Sequence, residues 1–493
     1  VTDLYETNLT AAAPVVDASV MASAPPRLSW TEEARALMVL AAPLVLTQLA
    51  QMAIGTTDLL LLGRYSETAL AAAAMGNTIF FFAWMVGGGP AAAVSPMIAQ
   101  LIGARPRTRG GVRASLRMGL WSVIITWALM APVMLCAGPI LSTIGEDPQL
   151  ARMAGRFTSI LVAGLPFSLG YLVLRNFATA LGRPTASMWV MVVTIAVNAL
   201  AGWTLIFGHF GAPRLGIVGS AMATAGSAMF SFVAMLGVIQ LDHKLRVYRM
   251  FRRFTRPVGL KLAEVFRLGL PIGMTMIFEG MLFNAMTLLM GRFGTNALAA
   301  HQIAINPPSI TFMVPLGLGM ASTVRVGVAV GAGDLVGARR AGMTAFAIAV
   351  VFGLITAAIL AAFSPQIAGL YLGGRSPRDA AVIALAALFL KAAAAFQVVD
   401  AIQVVGAQSL RGLKDARMPM LLAGGSYWLI GAPICIVLAL GFHLQGLGIW
   451  IGFVVSLTAA AIAMFLRFWR LTSPRREGLA SWSGSATLNG VRS

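Results

Sequence analysis

Apolar runs of about twenty residues or more recur along nearly the whole chain, each long enough to cross a hydrocarbon core as a helix. No other feature constrains the fold as much. Backbone N–H and C=O groups in lipid must bond within the protein, so a helix is the element expected in each run. Hydropathy places spans near 35–62, 68–102, 114–139, 152–174, 185–208, 215–240, 265–291, 297–329, 341–371, 380–410, 417–441 and 445–469. With 58% of the 493 residues hydrophobic and 11% charged, against roughly a quarter charged in a soluble domain, lipid is the expected solvent. The fold class read from this pattern is an all-α integral membrane protein with twelve transmembrane helices.

The net charge of +19 follows the same pattern. Arg105, Arg107, Arg109, Arg113 and Arg117 follow span two, and Lys244 through Lys261 follow span six. Arg339 and Arg340 follow span eight, Arg411, Lys414 and Arg417 follow span ten, and Arg467, Arg470, Arg475 and Arg476 close the chain. Most of the basic residues thus lie with the termini and the even-numbered connections, which puts both termini in the cytoplasm. The charge is a topological signal and does not call for nucleic acid. Residues 1–34 lack a signal peptide's basic and apolar regions and are expected to form a disordered cytoplasmic tail, with a second tail at 471–493. Cys136 and Cys435 lie in apolar runs and read as small core residues.

The two halves repeat. A shift of 228 residues carries Pro43 onto Pro271, Gly63-Arg64 onto Gly291-Arg292, Ala71-Ala72 onto Ala299-Ala300 and Gly103 onto Gly331. With one or two residues more, Leu181-Gly182 meets Leu410-Arg411-Gly412, and Leu215-Gly216-Ile217 meets Leu447-Gly448-Ile449. Six spans per half is an even number, so the repeat is parallel and the halves are expected to form two pseudo-symmetric six-helix lobes, at 35–240 and 264–470. A basic cytoplasmic linker at 241–263 joins them. Such a duplication suits rocking around a central cavity.

Three acidic residues fall inside spans: Asp58, Glu279 and Asp400. A charge at mid-membrane costs about 3 kcal/mol or more, which marks them as functional candidates. Helical spacing groups Gln397 and Gln403 with Asp400, Thr275 with Glu279, and Gln51 with Asp58, giving three polar seams. Carboxyls in poorly hydrated sites can hold a proton near neutral pH, and converging carboxyl and amide oxygens equally suit a hard cation such as Na⁺. The residues leave Na⁺ at Glu279 and Asp400, and H⁺, both open. Lys391 reads as the one intramembrane base, snorkelling to the interface, and His301 as an interfacial helix residue. Span seven is rich in Met, including Met286, a side chain adaptable enough for a promiscuous cavity. Gly87-Gly88-Gly89-Pro90 reads as a helix break and a hinge.

No P-loop occurs, since none of the four Lys follows a glycine, so no nucleotide site is expected. HExxH, GxSxG and clustered Cys/His patterns are also missing from the sequence, which argues against an enzyme and against a resident cofactor.

The chain resembles the multidrug and toxic compound extrusion (MATE) transporters, in their bacterial NorM-like branch. The resemblance runs from about residue 36 to 470. It rests on Ala50-Gln51-Met52 to Thr57-Asp58 with Gly63, Ile277-Phe278-Glu279, Ala299-Ala300-His301-Gln302 to Asn306, Val399 to Val405 around Asp400, Ser409 to Asp415, and Gly211-Ala212-Pro213. It implies a V-shaped pair of lobes and efflux of drugs and small organic cations from a monomer, coupled to entry of Na⁺ or H⁺. It also implies coupling carboxylates at Glu279 and Asp400, and Asp58 with Asn198 as its amide partner in the first lobe. Phe312 falls where the family places an aromatic, and Asn306 closes one of its motifs. Gly202 and Phe396 depart from the pattern, at positions where relatives carry Asp or Asn and Tyr. A lipid-linked oligosaccharide flippase of related architecture is the main alternative, though its phosphate-bearing substrate calls for a cationic cavity; another secondary transporter is a second.

Overall fold

The computed structural model describes residues 28–104, 109–250, 254, 258–372 and 376–473. Most of the two expected tails therefore lies outside the described residues, as do Arg105, Arg107, Arg252, Arg253, Arg256, Arg475 and Arg476. Twelve helices among the described residues are long and apolar enough to cross a membrane. They are α1 (Trp30–Tyr65), α2 (Glu67–Gly103), α3 (Arg109–Leu135), α4 (Pro148–Ala180), α5 (Pro184–Phe207), α6 (Ile217–Leu241), α7 (Gly259–Gly291), α8 (Thr295–Gly331), α9 (Leu335–Ala362), α10 (Arg378–Gly412), α11 (Arg417–Gly441) and α12 (Gln445–Leu471). No strand occurs among the described residues.

Local chemistry sets the ends. Ser29 and Glu32 form a capping box, Ser29 accepting from the Glu32 N–H while the Glu32 carboxylate accepts from the Ser29 N–H at 2.7 Å. The helix thus begins inside the stretch expected as a disordered tail. Asp147 caps α4, with Pro148 in its first turn.

Each half has its own apolar core. Leu161, Leu165, Leu169, Val173 and Phe177 of α4 form the centre of the first. The second is built around Phe389, Leu390, Trp450, Phe453 and Leu457 of α10 and α12. Leu37, Ala41 and Leu44 of α1 join the second core, so the start of the first span crosses the lobe boundary.

That crossing belongs to a seal between the halves at the end where α1, α3 and α7 begin, the end that carries the basic connections. Glu33 of α1 takes a two-point ion pair from Arg325 of α8, one bond being Nε to Oε1 at 2.8 Å. Gln100 of α2 donates to the Gly412 carbonyl of α10 at 2.9 Å. Gly89 of α2 meets Gly269 and Gly273 of α7 backbone to backbone, and Gly103 meets the Val328 carbonyl, so neither position has room for a Cβ. The outermost of these close approaches is that of Met85 to Gly280.

Several expectations are corrected. Gly87 to Pro90 is not a break: α2 runs through it unbroken, because the neighbouring α7 packs on the stretch and holds it. The break falls instead in α8 at Phe312, after Pro307 and Pro308 have removed two backbone donors. Cys435 is buried, but Cys136 is exposed at the junction between α3 and the following short helix. His301 is fully buried rather than interfacial, edge-on to Trp450 at 5.7 Å. Lys391 is exposed, and it is not the one intramembrane base, because α4 continues past residue 174 and carries a buried Arg175.

Gly89→Ala should destabilise the protein by about 1–3 kcal/mol through overpacking, seen as a lower thermal unfolding midpoint in detergent. Gly110→Ala, where a Cβ meets nothing within 4 Å, should leave that midpoint unchanged or slightly higher.

Candidate functional site

Along α10 the spacing of three residues turns Gln397, Asp400 and Gln403 to one side, and all three are buried, at 1%, 4% and 2% exposure. Three oxygens on this face have no hydrogen-bond partner: Gln397 Oε1, Asp400 Oδ1 and Gln403 Oε1. The Gln397 amide nitrogen donates to Thr311 Oγ1 at the end of the first segment of α8. Glu279 of α7, half-buried, lies within electrostatic reach of Asp400, and Arg411 near the end of α10 lies within reach of Glu279. The second half thus gathers two carboxyls and two unpaired amide oxygens, an all-oxygen set suited to a proton or a hard monovalent cation.

The other expected positions separate. Thr275 is buried one turn from Glu279, but its hydroxyl donates to the Pro271 carbonyl at 2.9 Å. Met286 is buried in the second core with Leu282 and Met290. Asn306 is exposed and bonds back to the Gln302 carbonyl at 2.7 Å, and Phe312 packs against the second core at the break in α8.

The first half is built differently. Asp58 is buried in α1 and accepts a hydrogen bond from Thr224 Oγ1 of α6 at 2.9 Å, while its Oδ1 has no partner. Asn198 of α5 is fully buried within reach of the same carboxylate, yet neither of its amide atoms meets a partner at hydrogen-bond geometry. Gln51 does not serve Asp58. It accepts from Arg175 Nη1 at 3.0 Å, with Gln48 accepting from the same nitrogen at 2.6 Å. Arg175 is 4% exposed and has no carboxylate partner among the described residues. The shift that pairs Gly63 with Gly291 pairs Gln51 with Glu279, so one half carries an amide bound to a guanidinium where the other carries an acid.

Arg175 and Tyr427 were not singled out by the sequence. The apolar run through Arg175 reaches the turn at Gly182-Arg183-Pro184, and that later boundary was the available signal. Tyr427 of α11 is fully buried with an unpartnered hydroxyl, within electrostatic reach of Glu279 and Asp400. A lone Tyr in an apolar run gives no signal of its own.

A family model described as MatE matches residues 43–204 and again 271–437, two copies whose first residues stand 228 apart. The chain belongs to the MATE family. It is accordingly a transporter and not an enzyme, and an integral multi-pass membrane protein. Among curated relatives, the "Probable multidrug resistance protein NorM" of Rhizobium meliloti (strain 1021) is 42% identical over 443 residues, covering 90% of this chain and 94% of its own. The "Multidrug resistance protein NorM" of Burkholderia vietnamiensis is 39% identical over 459 residues, covering 92% and 96%. Two solved structures share the fold at low identity. The eukaryotic MATE transporter AtDTX14 has a TM-score of 0.80 at 21% identity, covering 90% of this chain and 99% of its own. A multidrug resistance MATE family transporter of the MOP superfamily has a TM-score of 0.79 at 21% identity, covering 89% and 96%.

Thr224→Val should remove the hydroxyl that Asp58 accepts from and cost about 1–3 kcal/mol, the penalty for depriving a buried group of its partner. Thermal unfolding of the purified variant measures it; an unchanged midpoint would show that this hydrogen bond adds nothing to stability.

Proposed function

We propose that this transporter exports drugs and small organic, mostly cationic, compounds from the bacterial cell in exchange for entering Na⁺ or H⁺. The observation that carries the proposal is that Glu279 and buried Asp400 lie within electrostatic reach of each other, beside buried oxygens that have no protein partner. A carboxylate removed from water needs a compensating positive charge, and a metal ion, a proton and an organic cation can each supply it. Competition for that compensation is the coupling. If the ion weakens drug binding, the drug weakens ion binding by the same factor.

In this scheme the basic end faces the cytoplasm, with both termini, and the state in which that end is sealed is the one that admits ions from outside. An outside cation neutralises the carboxyls and releases the drug, and the lobes then rock so that the cytoplasmic seal opens. Inside, the cation leaves and a new drug molecule enters. Exchange is placed in the second lobe because its two carboxyls outnumber the one guanidinium, Arg411, within reach of Glu279, whereas at the matching depth of the first the buried guanidinium of Arg175 faces amide oxygens and no carboxylate among the described residues. The protein works as a monomer of the inner membrane, without nucleotide or resident cofactor.

Asp400→Asn should abolish export of ethidium-like dyes while leaving the amount of protein in the membrane unchanged. Wild-type export by that variant would rule Asp400 out of the mechanism. Dye export from proteoliposomes under a Na⁺ gradient alone, then under a pH gradient alone, identifies the ion.

A further inference from the structure

Tyr427 stands in a stretch of α11 whose backbone departs from the ordinary helix. Residues Gly425–Gly431 form a π-helical segment, a wider turn that moves side chains off the normal α-helical register. The segment is fixed to α7 beside Glu279. Trp428 Nε1 donates to the carbonyl oxygen of Phe278 at 3.3 Å, and Gly424 lies so close to the Phe278 ring that a Cβ there would meet it at 3.1 Å. On its other side Ser456 of α12 donates to the Ser426 carbonyl at 2.9 Å. The backbone is therefore held on both flanks of Tyr427.

A fully buried phenol ordinarily finds a hydrogen-bond partner, because an unmade bond costs about 1–3 kcal/mol. The hydroxyl of Tyr427 has none, although its ring is completely enclosed. The ionisable groups that act on it are Glu279 of α7 and Asp400 of α10, and Arg411 in turn acts on Glu279. On α12, Arg467 is engaged with Asp415 at 2.6 Å near the far end of the helix. Phe396, one turn before Asp400 on α10, brings a ring but no hydroxyl, and it packs edge-on to Phe283 and Trp450.

We infer that Tyr427 is a further binding residue of the second-lobe ion site, its phenolic oxygen presented by the π-helical turn of α11 to the carboxyls of Glu279 and Asp400 or to the cation they hold. Its O–H, committed to no other group, is the donor available to a carboxylate as the cation leaves. Through its lone pairs it completes the oxygen shell when the cation is present. The same group thus serves both states of the site, and its assignment rests on the exchange proposed above.

The test measures dye export from proteoliposomes as a function of the concentration of the driving cation, for wild type, Tyr427→Phe, Phe396→Tyr and the double variant. Removing the hydroxyl should raise the half-saturating cation concentration roughly tenfold with a much smaller change in maximal rate. Phe396→Tyr in the Tyr427→Phe background should restore at least part of the loss, since it returns a hydroxyl to the site from one turn before Asp400. A wild-type half-saturation in Tyr427→Phe would overturn the assignment. So would a fall in maximal rate alone that Phe396→Tyr leaves uncorrected, which marks a packing role. If Asp400→Asn also exports normally, the site itself is misassigned. If Asp400→Asn is inactive and Tyr427→Phe behaves as wild type, only the role of the phenol fails.

Discussion

A carboxyl taken out of water has to be neutralised, hydrogen-bonded or paired, and much of this molecule can be understood from how that demand is met. Where the acid is paired within the protein, as Glu33 is with Arg325 or Asp415 with Arg467, it ties elements together. Where the pairing is left incomplete, as at Asp400, the unfilled requirement is what a transported ion can satisfy. The helices around Asp400 supply shape, exclusion of water and a row of amide oxygens, but the direction of the chemistry comes from the acid.

The duplication makes the two solutions comparable within one chain. Both halves use the same helix order, and the matching positions Gln51 and Glu279 differ by one functional group. In the first half a guanidinium is held by two amide oxygens, so the positive charge is covalently part of the protein. In the second half the guanidinium of Arg411 lies within reach of Glu279 while Asp400 adds a second carboxyl, so a further positive charge has to arrive from elsewhere. Asp58, nearly two turns beyond Gln51, keeps a smaller site of its own with Thr224 and Asn198, which the guanidinium does not reach through any hydrogen bond among the described residues.

The spans, the repeat and the polar face of α10 were legible because each is a periodic signal: hydropathy over twenty residues, identity over 228, and polarity every third residue around Asp400. Features that depend on tertiary contact were not. Thr275 and Asn306 looked available, yet each spends its polar group on its own helix backbone, which a sequence does not display. Met286 shares its face with useful residues, but that face is covered by the second core. Tyr427 belongs to the site only because a π-helical turn and its contact with Phe278 bring it there.

The seam at the basic end has a thermodynamic consequence. Where Gly89 lies on Gly269 and Gly103 on the Val328 carbonyl, the surfaces that meet are peptide backbone already ordered by their own helices. Docking such surfaces immobilises no rotamers, whereas a seam of Lys, Met or Gln side chains would sacrifice about 1.5–2 kcal/mol of side-chain freedom at each one. Closure and separation at these points are therefore nearly free of an entropic bias from side chains. The side-chain cost of closing the seam is thereby confined to its few polar ties, the Glu33–Arg325 pair and Gln100.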